Sequence, residues 1–301
     1  MPRLRIVQTH AAERGQIYIP LVNWLLMIAT LGLVLGFRSS ANLASAYGVA
    51  ISTDMVITTV LAFFVATRWG WNVWRTALLA AAFLLVDLAF FGANLVKIAE
   101  GGWYPLLLGA LVFTLMATWR RGRRVLAEQL RTEQQSLDDF LESLRTDPPI
   151  RIPGTAVFMT SSAVTLPPIL PHHLEHNRVL HEQVILMCVE TEEIPRVPAS
   201  ERLELIGFAA GIYRVVVRYG FMQTPNIPVA LRLCESLGFL VDLDTTTFYL
   251  GRETLLPRRD VGLPLWQDHL FDFLSRNAAR ATAFYHLPPE RVVEIGIQVE
   301  I

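Results

Sequence analysis

Two carboxylates stand where carboxylates rarely sit. Asp54 lies in Ile51-Ser-Thr-Asp-Met-Val56 and Asp87 in Leu84-Leu-Val-Asp-Leu-Ala89, each within a long apolar stretch. A carboxylate at the centre of a membrane helix costs about 2.5–3.5 kcal/mol on insertion scales, so each must face protein, water or an ion and not lipid. Ion or proton binding is one use of such a group, and a protonated or hydrogen-bonded helix contact is the other. Ser52, Thr53, Thr58 and Thr59 surround Asp54 in the sequence, and both uses stay open for it. Asp87 stands in a wholly apolar run, which points to a structural or coupling role. Upstream, Ala41-Asn-Leu-Ala-Ser-Ala-Tyr-Gly48 gathers small residues that let helices approach closely and let backbone come near an ion. Within it Asn42 offers an amide and Tyr47 a hydroxyl on a rigid arm. Pro20, Asn23, Asn94 and Pro105 lie near the ends of apolar stretches and read as caps or packing contacts.

Further on, His172, His173, His176 and His181 cluster. His172 and His176 are spaced i, i+4, which can place two imidazoles on one helix face. No cysteine or acidic triad completes a metal set, and Glu175 and Glu182 can equally pair with the imidazoles, so no metal is assigned. Nucleophile elbow, phosphate-cradling glycine loop and paired catalytic acids are all lacking, and the chain does not read as an enzyme. Two cysteines, Cys188 and Cys234, form no disulfide pattern and fit a reducing compartment. No interleaving of basic and aromatic residues suggests nucleic acid as a partner.

The elements that must hold these residues follow from hydropathy. Of 301 residues 52% are hydrophobic and 18% charged, and the charge is gathered in the second half, so the net charge of -1 says little. Residues 1–16 read as a cytosolic loop and not as a signal peptide. Residues 17–120 are too apolar to be a soluble core. They divide at polar and turn residues into four spans, at about 17–37, 42–67, 76–96 and 103–119, with membrane lipid as their surroundings. Three tryptophans in Trp69-Gly-Trp-Asn-Val-Trp74 suit the interface. Arg3, Arg5, Arg14, Arg68, Arg75, Arg120, Arg121, Arg123 and Arg124 fall on one side and only Arg38 and Lys97 on the other, which places both termini in the cytoplasm.

Residues 121–147 read as an amphipathic helical connector, with one helix over 125–145 stopped by Asp147-Pro-Pro149. Residues 148–301 read as a cytosolic α/β domain. Strands are expected over 155–160, 184–190, 211–219 and 245–250, and helices over 168–176, 227–237 and 264–279.

Several long motifs make the chain more than generic. They are Gly15-Gln-Ile-Tyr-Ile-Pro-Leu-Val-Asn-Trp24, Ser40-Ala-Asn-Leu-Ala-Ser-Ala-Tyr-Gly-Val-Ala50, and Asp87 followed by Ala93-Asn94, Lys97, Gly101-Gly-Trp103 and Pro105. In the second half stand Pro148-Pro-Ile-Arg-Ile-Pro-Gly-Thr-Ala-Val-Phe-Met159, His176-Asn-Arg-Val-Leu-His-Glu182, Tyr219-Gly220, Thr224-Pro225-Asn226 and Glu294-Ile-Gly-Ile-Gln-Val-Glu-Ile301. Over essentially its whole length the chain resembles the potassium uptake (KUP/HAK/KT) transporters, in their bacterial Kup-type branch.

The resemblance implies a fold like that of the amino acid–polyamine–organocation (APC, LeuT-like) transporters, with about twelve spans, ten of them in two inverted repeats. The four spans here would match the ninth to twelfth. The family's amino-terminal Gly-x-x-Tyr-Gly-Asp signature is absent, as are the broken helices that carry most potassium ligands. The expectation is the carboxy-terminal half of a transporter, inactive alone, whether split, truncated or read from a wrong start. By the same resemblance it moves K+ inward with H+ across the bacterial inner membrane, without a cofactor, as a homodimer. Its partners would be the missing amino-terminal spans and a small regulatory ligand on the tail. Tyr47, in the Ala-Tyr-Gly match, is then the first candidate for lining the ion path. Asp54, where close relatives often have a small or hydroxyl residue, inherits no role from the resemblance and stands with Thr53 and Asn42 as a candidate on the residues alone. A membrane-tethered ligand-binding or regulatory module is the alternative.

Overall fold

In the computed structural model, residues 6–11, 13, 15–132, 135–160, 162–256, 264–277 and 281–300 are described. The chain falls into two compact units, Pro20–Ala117 and Met1–Ile19 with Thr118–Ile301.

The first unit is helical. Among the described residues three helices are long and apolar enough to cross a membrane: α1 (Pro20–Phe37), α2 (Ser40–Arg68), and α3 (Val73–Leu95) with a short 3-10 turn running to Ile98. At 1.5 Å per residue the 29 residues of α2 reach about 44 Å, more than a hydrocarbon core. The expected fourth span opens the helix α4 (Trp103–Thr132). Its apolar part ends at Trp119, where Arg120 and Arg121 follow, so four expected spans stand beside three helices of full apolar length.

Helices α2 and α3 form an antiparallel hairpin. The turn between them carries Gly70 at φ 85°, and Asn72 caps α3 by accepting hydrogen bonds from the backbone N–H groups of Trp74 and Arg75 at 3.1 and 3.2 Å. Small residues permit the close approach: a Cβ on Gly48 would lie 2.7 Å from Oδ1 of Asn94. The turn after α3 docks on the start of α2, where Gly101, at φ 144°, leaves room for the carbonyl of Asn42. Tyr104 donates to the carbonyl of Ala29 at 3.2 Å, tying the start of α4 to α1.

In the second unit, β1 (Val7–Gln8) pairs with β2 (Ile17–Tyr18), so the beginning of the expected first span is extended chain. Residues 125–145, expected as one helix, form two: α4 continues to Thr132, and α5 (Leu137–Thr146) starts afresh where the Ser136 side chain accepts from the Asp139 N–H at 3.0 Å. The elements that follow are β3 (Ile150–Thr160), α6 (Ile169–Asn177), β4 (Val179–Glu192), β5 (Leu203–Gly207), β6 (Ile212–Gly220), α7 (Ile227–Leu233), β7 (Thr246–Leu256), α8 (Leu265–Arg276), α9 (Ala281–Phe284) and β8 (Val292–Glu300). All four expected strands and three expected helices are there, and β5 and β8 join them.

The sheet runs β5-β6-β4-β3-β7-β8, with β5 antiparallel and the others parallel. Taken alone, the parallel strands have the doubly wound order 3-2-1-4-5, which turns back between β3 and β7. Both faces are covered. Val157, Ile185, Met187, Val215 and Val217 pack against α7, while Ala156, Phe158, Val184 and Leu186 pack against α5 and α6. That double burial is why these strands read as unbroken apolar runs.

Candidate ion-path residues and the family of the chain

At 100° per residue, Ser45, Val49, Ser52 and Thr59 share one side of α2, and the first three are buried. This side meets α3. There the Thr59 hydroxyl donates to Oδ2 of Asp87 at 2.6 Å, and Asp87 is 5% exposed. The carboxylate in the apolar run therefore has its partner on the neighbouring helix, 28 positions away. Three other α2 hydroxyls turn back onto their own helix. Ser45 donates to the Ala41 carbonyl at 3.1 Å, Ser52 to Gly48 at 2.8 Å and Thr53 to Val49 at 2.7 Å.

Tyr47 and Asp54 point the other way. Seven residues apart, they lie within about 20° of each other and about 10 Å apart along the axis, on the side opposite Thr59. Tyr47 is 69% exposed, and Asp54 and Thr58 are exposed as well. No described residue makes a hydrogen bond or ion pair with Asp54. Asn42 and Thr53 are half-buried on the flank between these two sides. The structure thus brings Tyr47 and Asp54 onto one face, sets Asn42 and Thr53 at its margin, and separates Asp54 from Asp87. Of the hydroxyls that surround Asp54 in sequence, Thr59 belongs to Asp87. The helical spacing of Ser45, Val49, Ser52 and Thr59 shows which side of α2 Thr59 occupies, but not that this side meets Asp87.

In the second unit, His173 and His181 are buried together against Tyr249, with ring centroids 4.9 and 6.1 Å from its ring. The Asn177 amide donates to Nδ1 of His173 at 2.8 Å. Burial holds both imidazoles below their usual pKa. An open hollow of about 440 Å³ lies before β7, lined in part by Arg232, Glu235, Asp242 and Asp244.

Residues 1–124 match the family model of the K+ potassium transporter integral membrane domain, and residues 153–301 that of the K+ potassium transporter C-terminal domain. The chain belongs to the Kup potassium transporter family. Among curated Kup relatives, the probable potassium transport system protein Kup 1 of Geobacter sulfurreducens is 59% identical over 302 aligned positions, covering 100% of this chain and 48% of the relative. The corresponding Kup of Nitrosomonas eutropha is 55% identical, over 100% and 47%. That of Myxococcus xanthus is 52% identical, over 100% and 46%. The chain spans about half the length of the curated relatives it matches. It is an integral membrane protein whose apolar helices precede an α/β domain with a mixed sheet.

Proposed function

We propose that the chain is the carboxy-terminal portion of a Kup-type potassium uptake transporter that carries K+ with H+ across the bacterial cytoplasmic membrane. On this reading its four spans are the last of an APC-like fold, both termini and the domain at 148–301 are cytosolic, and transport needs the earlier spans. The observation that carries the reading is the face of α2 that holds Tyr47 and Asp54. A mid-helix carboxylate exposed on the surface of a membrane helix must be covered by protein or water. Asp87 is already covered by Thr59, and Asp54 is not. The Asp54 face is therefore the wall of the ion path. Tyr47 supplies a hydroxyl and Asp54 a carboxylate to a dehydrating K+ or a proton, Thr53 and Asn42 border them, and Asp87 holds the scaffold.

The test is uptake in a potassium-uptake-deficient strain at low K+. The chain alone is expected to give no growth, and the chain co-expressed with the remaining spans to restore it. In the complete transporter, Asp54→Asn is expected to change K+ affinity or the pH dependence of uptake, about tenfold in KM if the carboxylate touches the ion; unchanged uptake removes it from the path. The doubly wound tail favours a second reading, a tethered ligand-binding module, and rescue by neither combination together with ligand binding by the tail would select it.

A further inference from the structure

Helix α6 is anchored on one side and open on the other. Ile169, Leu170 and His173 are buried beneath it, against the sheet face that holds Phe158 and Tyr249. Pro167 and Pro168 precede its first turn, and Arg178 ends it at φ 56°, its N–H donating to the Leu174 carbonyl at 2.9 Å. The adjacent, more open side carries His172, Glu175 and His176, at i, i+3 and i+4. One ligand atom from each lies within 4.8 Å of the other two, and the two imidazole centroids are 4.5 Å apart.

We propose that His172, Glu175 and His176 form a binding site for a divalent transition metal ion. Metal–nitrogen and metal–oxygen bonds of about 2.0–2.2 Å put neighbouring ligand atoms of a tetrahedral site roughly 3.3 Å apart. Small side-chain rotations close 4.8 Å to that separation, and the backbone need not move, because the buried side already holds the helix. Two imidazoles and one carboxylate suit Zn2+, Cu2+ or Ni2+, and not K+ or Mg2+, which favour all-oxygen shells. Three protein ligands on one helical turn leave a coordination position for water or a small anion. Glu175 is the addition that the spacing of the histidines lacked. A bound ion clamps the turn and stabilises the folded tail by mass action. The proposal is independent of the transport reading.

The test is calorimetric titration of Zn2+ into the tag-free, detergent-solubilised full chain, stripped with EDTA. The expected result is one ion per chain with Kd on the order of 10 µM. His172→Gln and His176→Gln should each weaken it at least tenfold, and Glu175→Gln about threefold, whereas His269→Gln, on α8, should leave it unchanged. One equivalent of Cu2+ on the unsubstituted chain should show hyperfine coupling to two nitrogens by electron paramagnetic resonance, a readout that needs no variant to fold. Kd weaker than about 1 mM, Cu2+ without nitrogen coupling, or undiminished Zn2+ binding by a folded His172→Gln/His176→Gln double variant would each overturn it.

Discussion

In the tail, the side chains withdrawn from the surroundings are Val157, Phe158, Ile185, Leu186, Val215 and their neighbours on both faces of a sheet. In the helical unit, those withdrawn include Ser45, Ala46, Ser52, Thr76 and Asp87, while Leu25, Leu31, Phe83 and Leu107 face outward. Helix α1 has no buried residue at all. The contrast reflects the solvent. Water drives apolar surface together, so the tail is held by what it hides from water. Lipid tails are as apolar as leucine and supply no such force, so the helices are held by close backbone approach and by hydrogen bonds that hydrocarbon cannot replace.

Substitutions can break this contrast. Phe158→Ala removes a fully buried ring stacked on Tyr249 at 4.6 Å, and should destabilise the tail by about 3–5 kcal/mol in urea unfolding followed by tail fluorescence. Leu31→Ala, a comparable loss of apolar area on the exposed side of α1, should leave the melting of detergent-solubilised chain nearly unchanged; equal losses would erase the distinction. Thr59→Val keeps the volume of the side chain but removes the donor to Asp87, and about 1–3 kcal/mol should be lost from the helical unit. If Thr59→Val melts like the unsubstituted chain, water or another donor serves Asp87.

Acid sharpens the comparison from the tail's side. Burial holds the His181 pKa below 6.5, so across that window the unfolded chain binds more protons than the folded one. The stability His181 contributes is complete above about pH 6.5 and is lost as pH falls through the lowered folded value. The melting temperature of the tail should therefore fall below pH 6.5, and His181→Gln should flatten that part of the profile; an unaltered slope would assign it elsewhere. The smallest effect belongs to Arg218, which faces Glu190 and Glu192 at 3.6 Å and donates to Glu204. This network lies at the surface, and Arg218→Ala should cost under about 1 kcal/mol, less in high salt. A loss of several kcal/mol would make it part of the core's support.

The sequence displayed some of these relations and concealed others for physical reasons. Central parallel strands β3, β4, β6 and β7 are buried on both faces and advertise themselves as apolar runs. β5 lies at an edge with one partner, and Leu203-Glu-Leu-Ile-Gly207 is too short and mixed to stand out. β8, the other edge, alternates Val293, Ile295 and Ile297 with Glu294, Gly296 and Gln298, so its strand signal is a period of two and not the apolar run that marks the central strands. The start of α5 is marked by one capping hydroxyl, Ser136, within a sequence pattern that allows a continuous helix. At the candidate site, hydropathy located Asp54 and Asp87, because carboxylates stand out against an apolar background, whereas Tyr47 was singled out by the Ala-Tyr-Gly resemblance. Its apolar surroundings set Asp87 apart from Asp54 as a structural or coupling candidate, but its donor on the neighbouring helix, Thr59, leaves no local trace in the sequence.

The bond between Thr59 and Asp87 also sets how the hairpin can move. If α3 slipped along α2 by one turn, about 5.4 Å, the carboxylate would face Val56 or Phe63 and lose its donor inside hydrocarbon. Sliding thereby costs a buried hydrogen bond, whereas moving both helices together keeps it. The bond keys the two helices against telescoping, as a spline keys a shaft.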